Sequence, residues 1–183
     1  MSAELAPPPA IDPAAPMISR TERIVVDCPA QAFWDWSVKT PLENILPETG
    51  ALPGVVGTTA LTAGGWGAPG ERRTVHLSDG SSCTEQILDA SPPEGFRYQV
   101  WDYSTAAARP IAYAVGEFRH VALDDRRTEV VWTYAFRLRG DRFPGFLGPV
   151  GRRLLKAAFL DRAYAVLMRE TLKAMKAGAE RGL

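Results

Sequence analysis

Residues Pro149–Ala177 read PVGRRLLKAAFLDRAYAVLMRETLKAMKA. Past Pro149 the only residue that breaks helices is Gly151, and Leu, Ala, Met, Lys and Arg, all strong helix formers, dominate the rest. At 100° per residue, Ala157, Leu160, Tyr164, Leu167, Met168, Thr171 and Met175 fall on one face. Arg162, Arg169, Lys173 and Lys176 fall together on another, so the spacing predicts an amphipathic helix packed along one side. Roughly 28 residues at 1.5 Å each make it about 42 Å long. The segments before it read mainly as short strands. A long terminal helix behind a run of antiparallel strands has few compact solutions, and a curved sheet gripping the helix is the simplest.

Upstream, Ser19–Asp27 ends in Ile24-Val25-Val26 and suits a first strand. Cys28-Pro29-Ala30-Gln31 opens a helix, with Pro29 in the first turn, where its missing N–H costs nothing. Phe33, Trp34 and Trp36 follow, Pro41 ends that helix, and Leu42–Leu46 forms a second short one before Pro47. Val55–Ala63 is expected as a strand, and Gly64–Gly70 as a mobile loop carrying Trp66. No phosphate-loop glycine spacing is present there. Asp79-Gly80, between Glu71–Leu77 and Ser82–Ala90, signals a two-residue hairpin. That turn sets His76 opposite Cys83, Thr74 opposite Glu85 and Arg72 opposite Ile87, all on one face. Arg73, Val75, Leu77, Ser82, Thr84, Gln86 and Leu88 occupy the other. Neither face is purely apolar, as expected of a sheet with one solvated side and one partly polar cavity.

Further strands are expected over Phe96–Tyr103, Ile111–Leu123 and Thr128–Arg139, the last with Val130, Trp132, Tyr134 and Phe136 alternating cleanly. Gly140–Gly151 then delivers the final helix, and its Phe143-Pro144-Gly145-Phe146-Leu147 reads either as a pocket lid or as a plain connection. Residues 1–17, rich in Pro and Ala and without periodicity, are expected to be a disordered tail. Residues 18–183 are expected to form a single domain, with no internal repeat.

The chain has 183 residues, 21 Lys+Arg against 21 Asp+Glu, and 46% hydrophobic residues. Zero net charge leaves no electrostatic footprint for nucleic acid, so the basic stripe of the last helix reads as a solvated face. Cys28 and Cys83 are too few for a disulfide scaffold or a Cys-rich metal site and read as buried free thiols. No His/Cys/Glu spacing of a metal centre is present, and neither a metal nor a cofactor is expected. No apolar run approaches the ~18 residues of a membrane span, so integral membrane association is not expected. Glu4 and the prolines of MSAELAPPPAIDPAAPM stand where a signal peptide would be basic and then apolar, which points to the cytoplasm.

Three segments carry a family resemblance. Cys28-Pro29-Ala30-Gln31-Ala32-Phe33 matches a P-x-x-hydrophobic opening of a first helix. Gly80…Glu85-Gln86-Ile87-Leu88-Asp89-Ala90-Ser91-Pro92-Pro93…Phe96-Arg97-Tyr98 looks like a G…E-x-hydrophobic…P-P…hydrophobic-x-Y hairpin. Arg127-Thr128-Glu129-Val130-Val131-Trp132-Thr133-Tyr134 looks like a G-T-x-V-x-W strand, with Arg127 where Gly is usual. In this order, over about residues 19–178, they resemble the START/Bet v 1-like (SRPBCC) superfamily, which includes polyketide cyclases and dehydrases. The resemblance implies an α+β helix-grip fold: about seven antiparallel strands wrapped around the C-terminal helix, with two short helices after strand one. Members bind lipids, sterols, polyketides, flavonoids and hormones, and some catalyse reactions.

Between such a sheet and helix a ligand cavity is expected. Arg72, Thr74, His76, Glu85, Tyr98, Trp132 and Tyr134 from the sheet, and Leu160, Tyr164, Leu167 and Met168 from the helix, are its expected ligand-binding residues. His76 reads either as a Glu85-assisted general base or as an exposed strand histidine, and Glu85 either as a ligand anchor or as half of a cross-strand ion pair. His120, with no identifiable partner, reads as structural. The leading expectation is a carrier of a hydrophobic small molecule such as a lipid, isoprenoid or aromatic polyketide. The alternatives are a cyclase or aromatase using His76 and Glu85 as catalytic residues, and a protein-interaction or co-chaperone module of the same fold.

Overall fold

The computed structural model describes residues 7–182. Its elements are β1 (Ile18–Val26), α1 (Ala30–Lys39), β2 (Val55–Ala60), β3 (Arg72–Leu77), β4 (Ser82–Ser91), β5 (Gly95–Trp101), β6 (Ile111–Ala122) and β7 (Thr128–Leu138). The C-terminal helix follows as α2 (Pro149–Leu155), a π-helical segment (Lys156–Tyr164) and α3 (Ala165–Arg181). Single 3₁₀ turns at Leu42–Asn44, Ala106–Ala108 and Gly145–Leu147 punctuate the loops. The strands make one seven-stranded antiparallel sheet in the order β1-β7-β6-β5-β4-β3-β2, and β1 closes against the last strand. This is the helix-grip arrangement.

Apolar alternation decides which sheet face holds the helix. Val130, Trp132, Tyr134, Phe136 and Leu138 of β7 are buried on one side, and the residues between them turn the other way. Against that face α3 buries Ala165, Leu167, Met168, Thr171, Leu172, Met175 and Ala179. These repeat at the three- and four-residue spacing of a single helix stripe. At the far end α1 locks onto α3: a Cβ on Gly178 would lie 2.4 Å from the Trp36 ring, so only glycine lets the indole pack this closely.

Two local readings change. The turn at Asp79-Gly80 is one residue longer than two. Gly80 N–H donates to Leu77 O (3.0 Å) and Leu77 N–H to Ser81 O (2.9 Å), with Gly80 in the left-handed region at φ 80°. That is a three-residue loop with a bulge at Gly80, the other common hairpin solution. The register becomes Arg73↔Glu85, Val75↔Cys83 and His76↔Ser82. Because side chains alternate, one residue of slip exchanges the two faces of β3. The second change is in the helix, where i→i+5 bonding over Lys156–Tyr164 widens the coil and leaves Ala157, expected on the buried face, exposed.

Residues 7–16 run along the outer side of the sheet, where Pro9 O accepts from Gln99 Nε2 (2.8 Å) and Pro16 O from Arg137 Nη1 (3.1 Å). Gln99 is buried there although its neighbours Tyr98 and Val100 face the interior. The rest of the expected tail, residues 1–6, lies outside the described residues, as does residue 183.

His120 is a structural histidine with a pH signature. Its Nδ1 donates to Pro93 O (2.8 Å), and its ring meets Phe33 edge-on at 4.8 Å. Nε2 is buried with no hydrogen-bond partner among the described residues. Burial pushes its pKa down to about 4, against a weaker upward pull from the Pro93 hydrogen bond. Below the ordinary value of 6.5 the unfolded chain takes up a proton that the folded chain refuses. This stability is therefore complete above pH 6.5 and is lost as pH falls through about 4. At ~1.4 kcal/mol per pH unit the loss reaches about 3 kcal/mol. Urea unfolding from pH 7 to 4 should show that loss in the native chain and a flatter slope in His120→Phe.

Candidate functional site

The grip is solid at one end and hollow at the other. Toward α1, aromatic rings fill the concave face: Phe118 stacks on Trp132 at 5.0 Å, and Trp132 Nε1 donates to Tyr98 Oη at 3.1 Å. Tyr98 lies flat over Gly116 of the neighbouring strand, whose missing Cβ leaves the space for the ring. Only about 50 Å³ remains open there, bordered by Trp66, Arg73, Glu85, Tyr98 and Trp132.

Toward the other end the rings stop meeting and a cavity of about 330 Å³ opens between β3–β7 and the π-helical segment. Val75, Cys83, Val100, Phe136, Phe159 and Leu167 supply its apolar wall. Its mouth lies among Pro53, Asp79, Ser81, Thr105 and Ala108. The π-helical segment shapes one side: the Phe159 and Tyr164 rings, five residues apart, sit 5.7 Å from each other and both face the hollow.

Two sets of polar groups interrupt the apolar lining. Tyr134 and Tyr164 have ring centroids 4.8 Å apart, and Tyr103, whose hydroxyl donates to Val100 O at 3.5 Å, lines the same hollow. Burial drives all three phenol pKa values well above 10, so each stays protonated and able to donate at neutral pH. Glu85 borders both the filled end and the hollow. Arg73 Nε donates to its Oε2 (2.9 Å), and Nη2 lies 2.8 Å from the same oxygen in an ion pair. The Arg73 guanidinium in turn lies over the Trp66 ring, 3.5 Å from its centre, which gives the glycine-rich loop an inward anchor.

Of the residues expected at the site, Glu85, Tyr98, Trp132, Tyr134, Tyr164 and Leu167 line the interior spaces. Leu160 and Met168 are fully buried core and touch neither space. Arg72, Thr74 and His76 are corrected: the one-residue hairpin shift sends them to the outer face. There His76 Nε2 meets Thr59 Oγ1 at 2.8 Å in an exposed position, Thr74 pairs with Thr84, and Arg72 reaches Gln86 and the Trp101 ring. His76 is therefore not placed to act as a base in the cavity. Sequence reasoning missed Arg73 as partner of Glu85, and Tyr103, Phe136 and Phe159 as wall. Val75 was the available signal for the correct face, being the one β-branched apolar residue in Arg72–His76.

The comparisons agree with this geometry. The profile of a family described as "Polyketide cyclase / dehydrase and lipid transport" matches residues 17–180. Among solved structures, the Zhui aromatase/cyclase from Streptomyces sp. R1128 is similar in fold, with a TM-score of 0.64 and 19% identity over 90% of this chain and 94% of that one. A norcoclaurine synthase point mutant from Thalictrum flavum gives 0.62 and 11% identity over 94% and 100%. Ara h 8.0201 gives 0.59 and 13% over 91% and 99%. No curated protein matches the sequence. At these identities the solved structures speak to the fold alone. Among the described residues no helix is long and apolar enough to cross a membrane. With a profile match over nearly its whole length and a hollow helix-grip interior, the chain belongs to the polyketide cyclase/dehydrase and lipid transport family, whose fold serves ligand binding or cyclisation.

Proposed function

We propose that the chain binds a compact hydrophobic molecule, a ring system carrying hydroxyl or carbonyl groups, in the hollow between sheet and helix. The observation that carries this reading is the cavity of about 330 Å³ whose apolar walls converge on Glu85 and the Tyr103, Tyr134 and Tyr164 hydroxyls. That volume is near the lower end of small-molecule sites, about 300–1,000 Å³, and suits fused rings better than a diacyl lipid. Protonated phenols donate to a ligand carbonyl or phenolate, and Glu85 accepts from a ligand hydroxyl.

A cyclase reading is supported by the same groups. A carboxylate beside an apolar hollow can take a proton from a carbon next to a carbonyl, while a phenol donor meets the charge that develops on the oxygen. Glu85 would be the base and Tyr134 or Tyr164 the donor; His76, on the outer face, has no part in it. The aromatase/cyclase and norcoclaurine synthase names of two similar folds favour keeping this chemistry in view.

Titration calorimetry with phenol and 2-naphthol tests the binding. One 2-naphthol per chain is expected, with at least tenfold weaker binding in Leu167→Trp, which fills the hollow. Equal affinity in that variant contradicts the assignment. Glu85→Gln separates the two readings, because a base lost from a cyclase costs about 10²-fold or more in kcat with little change in binding, whereas a carrier shows no turnover to lose.

Arg73 and Glu85 have side chains only 13% and 11% exposed, so removing one strands the other in a mostly apolar site. Arg73→Ala should cost about 2–4 kcal/mol in urea unfolding, and the double variant Arg73→Met/Glu85→Met much less than the sum of the two single changes. Additive losses would show that the pair is not coupled.

A further inference from the structure

Outside the cavity, one surface breaks the usual distribution of apolar groups. Phe143 (59%), Phe146 (60%), Leu147 (41%), Val150 (64%) and Leu154 (48%) are all exposed, within twelve successive positions spanning the loop before α2 and its first turns. They are held outward by a rigid base. A Cβ on Gly145 would lie 1.9 Å from Arg139 O, and one on Gly151 1.8 Å from Pro144 O, so the turn and α2 pack backbone to backbone beneath them. The Phe143 and Phe146 rings sit 6.0 Å apart at the tip.

Charge is equally uneven. From Arg142 to Leu160 the chain holds Arg142, Arg152, Arg153 and Lys156 and no Asp or Glu, although the whole chain is neutral. Lys156 is drawn inward to Ser19 O and Asp161, and Arg142 pairs with Asp141 at 3.6 Å, so Arg152 and Arg153 set the character of the patch. An apolar tip ringed by arginine is the arrangement of segments that lie in a membrane interface, with rings among the acyl chains and guanidinium groups at the phosphates.

We propose that Arg142–Leu154 docks on the surface of an anionic phospholipid bilayer. Charge complementarity selects this occupant over a second copy of the chain: face-to-face association would set one Arg152-Arg153 pair near another, whereas anionic headgroups oppose them with the matching sign. The position also serves the cavity. Arg142, Arg139 and Arg109 line a surface basin that shares Tyr103, Ala108 and Ile111 with the hollow, so a docked molecule brings the cavity mouth to the bilayer. Docking goes beyond ligand binding and does not require it.

Co-sedimentation of the full chain with vesicles tests this, using phosphatidylcholine alone and phosphatidylcholine with about one-third phosphatidylglycerol. At least tenfold stronger binding to the anionic vesicles is expected, weakening as salt is raised. Arg152→Glu/Arg153→Glu should lower it at least tenfold, and Phe143→Ser/Phe146→Ser should lower it as well. These side chains are exposed or half-buried, so melting curves close to the native chain's show that the fold is kept. Equal binding to both vesicle types, or native-like binding by both variants, overturns the proposal. So does a concentration-dependent dimer that the serine variant abolishes, which would give the surface to a second copy.

Discussion

The structure depends on one seam, the contact between the apolar stripe of α3 and the concave face of the sheet. Met168, Leu172, Met175 and Ala179 are almost completely buried in it. A large apolar side chain contributes about 1.5–3 kcal/mol when so buried. A straight helix and a twisted sheet cannot stay in contact along the helix's whole length. Where they meet, rings from β5, β6 and β7 close the gap in a continuous run of aromatic contacts; where they diverge, the gap persists as the cavity. The hollow is a consequence of the same seam that holds the molecule together.

The polar groups sit at the boundary between the filled and hollow regions. A charged pair in an apolar interior carries a desolvation cost that close geometry offsets only partly. Glu85 and Arg73 meet through one hydrogen bond and one ion-pair contact to the same oxygen, with Trp66 beneath the guanidinium. Well-packed hydrophobic residues often stabilise such a position at least as well, so a carboxylate beside three protonated phenols is in keeping with the proposed ligand site.

Much of this was legible in the residues, and what was not has particular causes. The terminal helix was visible because its stripe holds over many turns, and the β7 strand because four large apolar residues alternate without a break. The site was only half legible. Glu85 was expected beside Cys83 and Ile87, and the structure buries these three together on one face of β4. Its partner strand was displaced by a single turn residue: Ser78-Asp79-Gly80 forms the loop where Asp79-Gly80 alone was expected. A turn's local signal does not fix its length to one residue, yet that one residue exchanges Arg72, Thr74 and His76 for Arg73 and Val75. The π-helical segment was equally hidden, because Lys156–Tyr164 is as compatible with α-helix as with the wider coil. The packing of residues 7–16 on the outer face rests on main-chain carbonyls, which leave no trace in composition.

Methyl-resolved NMR in the presence of 2-naphthol tests most directly whether the hollow is the binding site. The methyl groups of Val75, Val100 and Leu167, which face the cavity, should shift with a single saturating dependence on ligand. Those of Val25, Val56 and Val121, exposed elsewhere on the molecule, should stay in place. Shifts confined to the exposed methyls, or spread evenly over both groups without saturation, would contradict a ligand-binding interior.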